Sequence, residues 1–189
     1  MAQARSLLED LGAGTLPHPG GTLLAHLRRV RSRLAGWGAR PALQLAGLCH
    51  ALYGTDGFPT ALLSLDRRGE VAEAIGAEAE SIVYFYAACD REATYPALAD
   101  RGSGFRDRFT GHSHTPEPGL RRDLAEVTAA NELDLADHDP EFRVRYGADL
   151  LDLFHRFRPL LSPSAWADCL TLDSGGRSRH PRATDTSSG

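Results

Sequence analysis

Three polar residues stand where the helical pattern of this chain predicts core. His26 follows Leu23 by three residues and precedes Val30 by four, so it shares their inward face. His50 lies in an almost uninterrupted run of apolar or small residues at 42–52, and Asp90 follows a second apolar run at 77–89. Buried polar groups need partners. Two imidazoles and a carboxylate suit a divalent transition metal, Mn, Fe, Ni or Zn. Three protein ligands would leave open positions for water or substrate, as a catalytic centre requires. Each histidine taken alone also reads as a hydrogen-bonded core residue, and Asp90 as a partner of Arg91 or a cap on a neighbouring helix.

Around these residues lie groups that could assist. The turn Tyr53-Gly54-Thr55-Asp56-Gly57 comes just after His50. Tyr53 and Thr55 could position a water or substrate oxygen there, with Asp56 as general base, against a reading of ordinary turn chemistry. Arg91, Arg106 and Arg108 are candidates for holding a phosphate or carboxylate. Asn131, with Glu132 and Asp134, would line the pocket from the opposite side or form a solvated face. His112 and His114, in a polar Pro-rich loop, would complete a site, form a lid or stay solvated. Cys49 and Cys89 each precede a candidate ligand and read as small core residues.

The elements that must position these groups are helical. A short helix over 6–11 ends at Gly12, and the Pro/Gly segment 15–21 is expected to be irregular. Thr22 is a candidate N-cap for a helix to Gly36, with Arg28, Arg29, Arg31 and Arg33 mostly facing water. Pro41 fits the first turn of the buried helix carrying His50. An amphipathic helix over 66–75 stops at Gly76, and an apolar helix over 77–89 follows. After a loop at 95–119, helices are expected at 120–135, 142–161 and around Trp166. No strand-like alternation stands out. The expectation is an all-α, single-domain helical bundle: an N-terminal helix and linker over 1–21, a helical domain over 22–172, and a disordered tail over 173–189.

Composition sets outer bounds. With 189 residues, 42% of them hydrophobic, the chain can bury one substantial core. A formal charge of -4 gives no broad electrostatic reason to bind nucleic acid or an anionic membrane. There is no 18-residue apolar run to span a bilayer. Three cysteines at unrelated spacings, and a start unlike a signal or transit peptide, suggest a cytoplasmic setting.

The order of these motifs resembles the HD-domain superfamily of metal-dependent phosphohydrolases, with its closest echo in the hydrolase domain of bifunctional ppGpp synthetase/hydrolases. His26-Leu27-Arg28-Arg29-Val30 resembles the first-ligand helix, and Leu48-Cys49-His50-Ala51 falls at the histidine-aspartate pair. Tyr53 to Asp56 falls at the catalytic acidic turn, 67–83 looks like the linking helices, and Cys89-Asp90-Arg91 resembles the last-ligand segment. The similarity covers about residues 20–100. The turn after His50 also looks like that of an uncharacterised bacterial family of unknown function.

The resemblance implies an HD-like fold with His26, His50 and Asp90 on a metal. It implies hydrolysis of a phosphate ester or anhydride, with Asp56 as base and arginines holding a small anionic substrate. One departure matters: Ala51 stands where the superfamily has its defining aspartate. That removes an anionic ligand unless Asp56 or Glu80 replaces it. Two other readings follow. One is a degenerate HD-like ligand-binding or interaction module with structural histidines, which Ala51 favours. The other is a metal-dependent oxygenase or lyase in a biosynthetic pathway.

Overall fold

The computed structural model describes residues 1–174 apart from positions 59 and 101. Its main elements are α1 (Ala2–Asp10), α2 (Leu23–Gly36), α3 (Pro41–Cys49), α4 (Arg68–Ile75), α5 (Ala77–Ala88) and α6 (Arg91–Thr94). They continue through α7 (Pro118–His138), α8 (Pro140–Phe157), α9 (Pro163–Cys169) and α10 (Thr171–Ser174). Two small antiparallel hairpins, β1 (Pro17–His18) with β2 (Gly21–Thr22) and β3 (Phe105–Arg106) with β4 (Ser113–His114), complete it. The fold is all-α in class, as the periodicity predicts. Among the described residues no helix is long and apolar enough to cross a membrane.

Helix α7 organises the core. It packs against α2, α3, α5, α8 and α9, and is buried around most of its circumference through Leu124, Val127, Ala130 and Leu133. The pair α2 and α3 crosses closely because Gly47 has no side chain. A Cβ there would collide with Cδ1 of Leu34. Three free cysteines, Cys49, Cys89 and Cys169, lie in the interior, and burial pushes each thiol up to about 12. They act as small apolar packing groups, not nucleophiles.

Several local expectations change. The segment 15–21 is not irregular: Pro17 pairs with Thr22 and His18 with Gly21 across a tight turn. Gly20 makes the turn possible with φ 75°, a left-handed conformation that favours glycine. The helix of the buried run ends at Cys49 with His50 as its C-cap, which agrees with the expected delivery of His50 at the end of that helix. Arg29 and Arg33 are drawn into ion pairs instead of facing water. Of the expected tail, Asp173 and Ser174 belong to α10, and 175–189 lie outside the described residues.

Replacing Gly47 with valine should lower stability by about 1–3 kcal/mol, since the side chain must displace Leu34 in a close-packed crossing. Urea denaturation would show this as a lower midpoint at unchanged slope.

Candidate functional site

The β1–β2 hairpin, α2, the end of α3 and α7 enclose a cavity of about 290 Å³. Thr22 Oγ1 accepts a hydrogen bond from Ala25 N at 3.3 Å and fixes the start of α2, which places His26 one turn in, against α7. Three imidazoles meet there. The ring of His18, delivered by β1, stacks on His26 at 4.1 Å between centroids. His26 in turn meets His50 edge to face at 5.3 Å.

His26 is 1% exposed, and both its ring nitrogens face acceptors. Nδ1 lies 2.6 Å from Oδ2 of Asp134, and Nε2 lies 3.0 Å from Oδ1 of Asn131. The Asn131 amide is oriented by its own Nδ2, which donates to Glu132 Oε1 at 3.1 Å, so an oxygen and not an NH₂ faces the imidazole. Two acceptors ask both ring nitrogens to donate. Asp134 also accepts from Arg29, Nε at 2.7 Å and Nη2 at 2.9 Å. Burial acts to raise the Asp134 carboxyl, but the hydrogen bonds from His26 and Arg29 outweigh it and hold it at about 2. Arg29 then donates to the carbonyls of Pro19 at 3.1 Å and Gly20 at 3.2 Å, which fastens the hairpin over the cavity.

His50 is the complementary case. Its Nδ1–H donates to the Gly47 carbonyl at 2.8 Å. Burial, with the charge of His26 adding to it, lowers its pKa to about 3, so the ring is neutral. Nε2 therefore carries a lone pair, and no described residue donates to it. His18 is likewise held low, at about 4, by burial and by His26, and its buried Nδ1 has no hydrogen-bond partner. The far wall is Arg91, whose guanidinium donates to Glu132 Oε1 and to the Tyr86 hydroxyl, both at 3.0 Å. Arg91, Glu132 and Phe142 also border an adjoining, mainly apolar cavity of about 520 Å³, which includes Tyr146, Leu150 and Leu153.

The structure brings together His26, His50, Arg91, Asn131, Glu132 and Thr55 on this cavity and leaves the other candidates elsewhere. Asp90 is not on the cavity. It is the N-cap of α6, with Oδ1 accepting from Ala93 N at 3.0 Å and Oδ2 lying 3.4 Å from Nε of Arg106. The short loop after α5 turns it outward. The Thr55 hydroxyl is held by the amide of Phe58 at 3.0 Å, and Asp56 accepts from the Arg91 amide at 3.0 Å, so the acidic turn braces α6. Tyr53 donates to Glu80 at 3.0 Å, and Arg68 occupies both oxygens of Glu80, so neither faces the cavity. Arg108 bonds the Ala87 carbonyl at 2.6 Å, and His112 and His114 lie exposed on the second hairpin.

The residues present do not fit a metal. His26 has no free lone pair, Asp90 is outside the cavity, and Ala51 lines it where a carboxylate would be needed. Among the described residues, no group of three or more His, Cys, Asp or Glu side chains could hold a metal ion. Sequence reasoning missed His18, concealed in the Pro/Gly segment, and the inward turn of Arg29. The histidine spacing His18 to His26 carried no periodic signal, because a hairpin intervenes.

Stability should fall as pH drops. The low pKa values of His50 and His18 mean that the unfolded chain takes up protons, near the ordinary histidine range, that the folded chain refuses. Their contribution is complete above the unfolded value of about 6.5 and is lost progressively toward about 4 and then about 3. Unfolding free energies measured from pH 7.5 to 4.5 should decline, and His50→Gln should flatten the slope by about one proton. Among known proteins, residues 7–91 match a family model described as Domain of unknown function (DUF6817), and no curated protein or solved structure matches. The matched segment supplies the three histidines and Arg91, whereas Asn131, Glu132 and Asp134 come from beyond it.

Proposed function

We propose that this chain is a ligand-binding helical domain, similar in motif order to HD-type phosphohydrolases, which holds a small molecule by hydrogen bonds where those enzymes hold a metal. The observation that supports this is the division of labour between two histidines: His26 is saturated by Asp134 and Asn131, and His50 offers an unused lone pair to the cavity. The hydrolase reading and the oxygenase or lyase reading both need His26 and Asp90 as metal ligands. Neither residue is placed for that. The buried, unpaired thiols fit the cytoplasmic setting expected from the sequence.

The chemistry of the walls selects the ligand. A group that donates to His50 Nε2 is required, and a hydroxyl does so without charge. An ammonium would meet Arg91 and the positive side of the His26–Arg29 cluster, and a carboxylate would face the imidazole lone pair. The anionic ligand expected from the arginines finds Arg91 already paired with Glu132. The adjoining apolar chamber then takes the ligand's hydrocarbon part against Phe142, Leu150 and Leu153. The ligand class is an amphipathic alcohol.

Titration calorimetry with straight-chain primary alcohols of increasing length should show affinity rising about fourfold per methylene until the chamber is filled. His50→Leu should weaken the whole series. Protein purified without chelator should carry no stoichiometric Mn, Fe, Ni or Zn. Stoichiometric metal that disappears in His50→Ala would overturn the proposal in favour of a metal-dependent enzyme.

A further inference from the structure

A separate cavity, of about 710 Å³, lies at the N-terminal end of α7 and shares no residue with the histidine pocket. Arg121 and Arg122 from the first turns of α7 line it, together with Gly102 and Thr115 from the preceding loop and Leu160 after α8. Arg121 is only 7% exposed. Its Nη2 donates to the Ala99 carbonyl at 3.1 Å, and its Nε is buried with no partner. Among the described residues no carboxylate forms an ion pair with it. Glu117, the N-cap residue one turn before it, also lines the cavity; its carbonyl accepts from the Arg121 amide at 3.2 Å, but its exposed carboxylate bonds neither the Arg121 guanidinium nor the helix end.

A guanidinium withdrawn from water without a counter-charge is unfavourable, and native structures compensate such a charge. The remaining acids nearby are engaged: Asp123 is held by Arg40 at 2.6 and 2.7 Å, and Glu126 accepts the Ser162 amide at 3.0 Å. The helix end adds positive potential, set against the single exposed carboxylate of Glu117. α7 runs for 21 residues with no side-chain cap on its first turn, and Pro118 stands at its first position. The amides that follow have no acceptor within the helix and carry the positive end of its dipole.

We propose that this cavity is a phosphate site, filled by the phosphate group of a small metabolite or by free phosphate. The buried guanidinium on its wall, which meets one carbonyl and no carboxylate and leaves Nε without a partner, is the observation that carries the assignment. Its planar fork matches two phosphate oxygens, Arg122 supplies a second positive charge, and the uncapped helix end completes a setting for a dianion. A carboxylate monoanion would leave half of that charge unanswered.

The test is thermal unfolding and titration calorimetry at pH 7.5, with inorganic phosphate and phenyl phosphate compared against chloride at equal ionic strength. Phosphate should raise the Tm of the intact protein by about 5 °C near saturation. Arg121→Met should abolish that response and leave the phosphate-free Tm unchanged or higher, because an uncompensated buried charge has gone. Arg121→Lys, which keeps the charge without the fork, should weaken binding about tenfold. His50→Leu should leave the phosphate response intact, which separates this site from the histidine pocket. Tighter binding of phenyl phosphate assigns the site to a phosphate ester, and equal binding assigns it to the free ion. A phosphate response no larger than that of chloride, or one retained in Arg121→Met, overturns the proposal.

Discussion

The Asp134 carboxylate is the interaction on which the rest of the site depends. It is almost wholly buried and is stabilised there by three N–H donors, one from His26 and two from Arg29. The same contacts join the hairpin and α2 to an element more than a hundred residues away: α7 carries the acid, α2 carries both donors, and Arg29 reaches back to the adjacent hairpin through two carbonyls. A buried carboxylate left unpaired is strongly unfavourable. The hairpin, α2 and α7 therefore dock as one unit, and the cavity they enclose is a consequence of satisfying that charge.

The chemistry of the pocket follows. Because Asp134 and Asn131 claim both nitrogens of His26, that ring acts as a fixed donor between α2 and α7. Burial, with the coulombic effect of His26 second to it, keeps the neighbouring rings His50 and His18 neutral. A neutral imidazole whose Nδ1 is tied to a backbone carbonyl presents its other nitrogen as an acceptor. With Ala51 on the cavity wall and Asp90 capping α6, the carboxylates that would complete a metal centre are either replaced or employed elsewhere.

α7 shows the same economy along its length. Its buried acids each meet a donor from another element: Asp123 meets Arg40 before α3, Glu126 meets the amide of Ser162, and Glu132 meets Arg91 at the start of α6. A helix buried on nearly all sides would ordinarily be apolar. This one instead specifies its neighbours through directional polar contacts, and Arg121, the buried cation among them without an acid, is the exception.

The sequence by itself determined the helical class, most element positions and the inward facing of His26 and His50. Those properties are local: hydrophobic periodicity, N-caps such as Thr22, and stops such as Gly76 act within a few residues. It also placed Asn131 and Arg91 among the candidates. Only the tertiary structure decided which polar groups share a pocket. Asp90 follows an apolar helix, as a core ligand would, yet one turn of backbone sends it to cap α6; Asp134 sits in a charged stretch, as a solvated face would, yet it meets His26 across more than a hundred residues. Pairing of charges across such separations depends on how helices dock, and no periodicity along the chain encodes it.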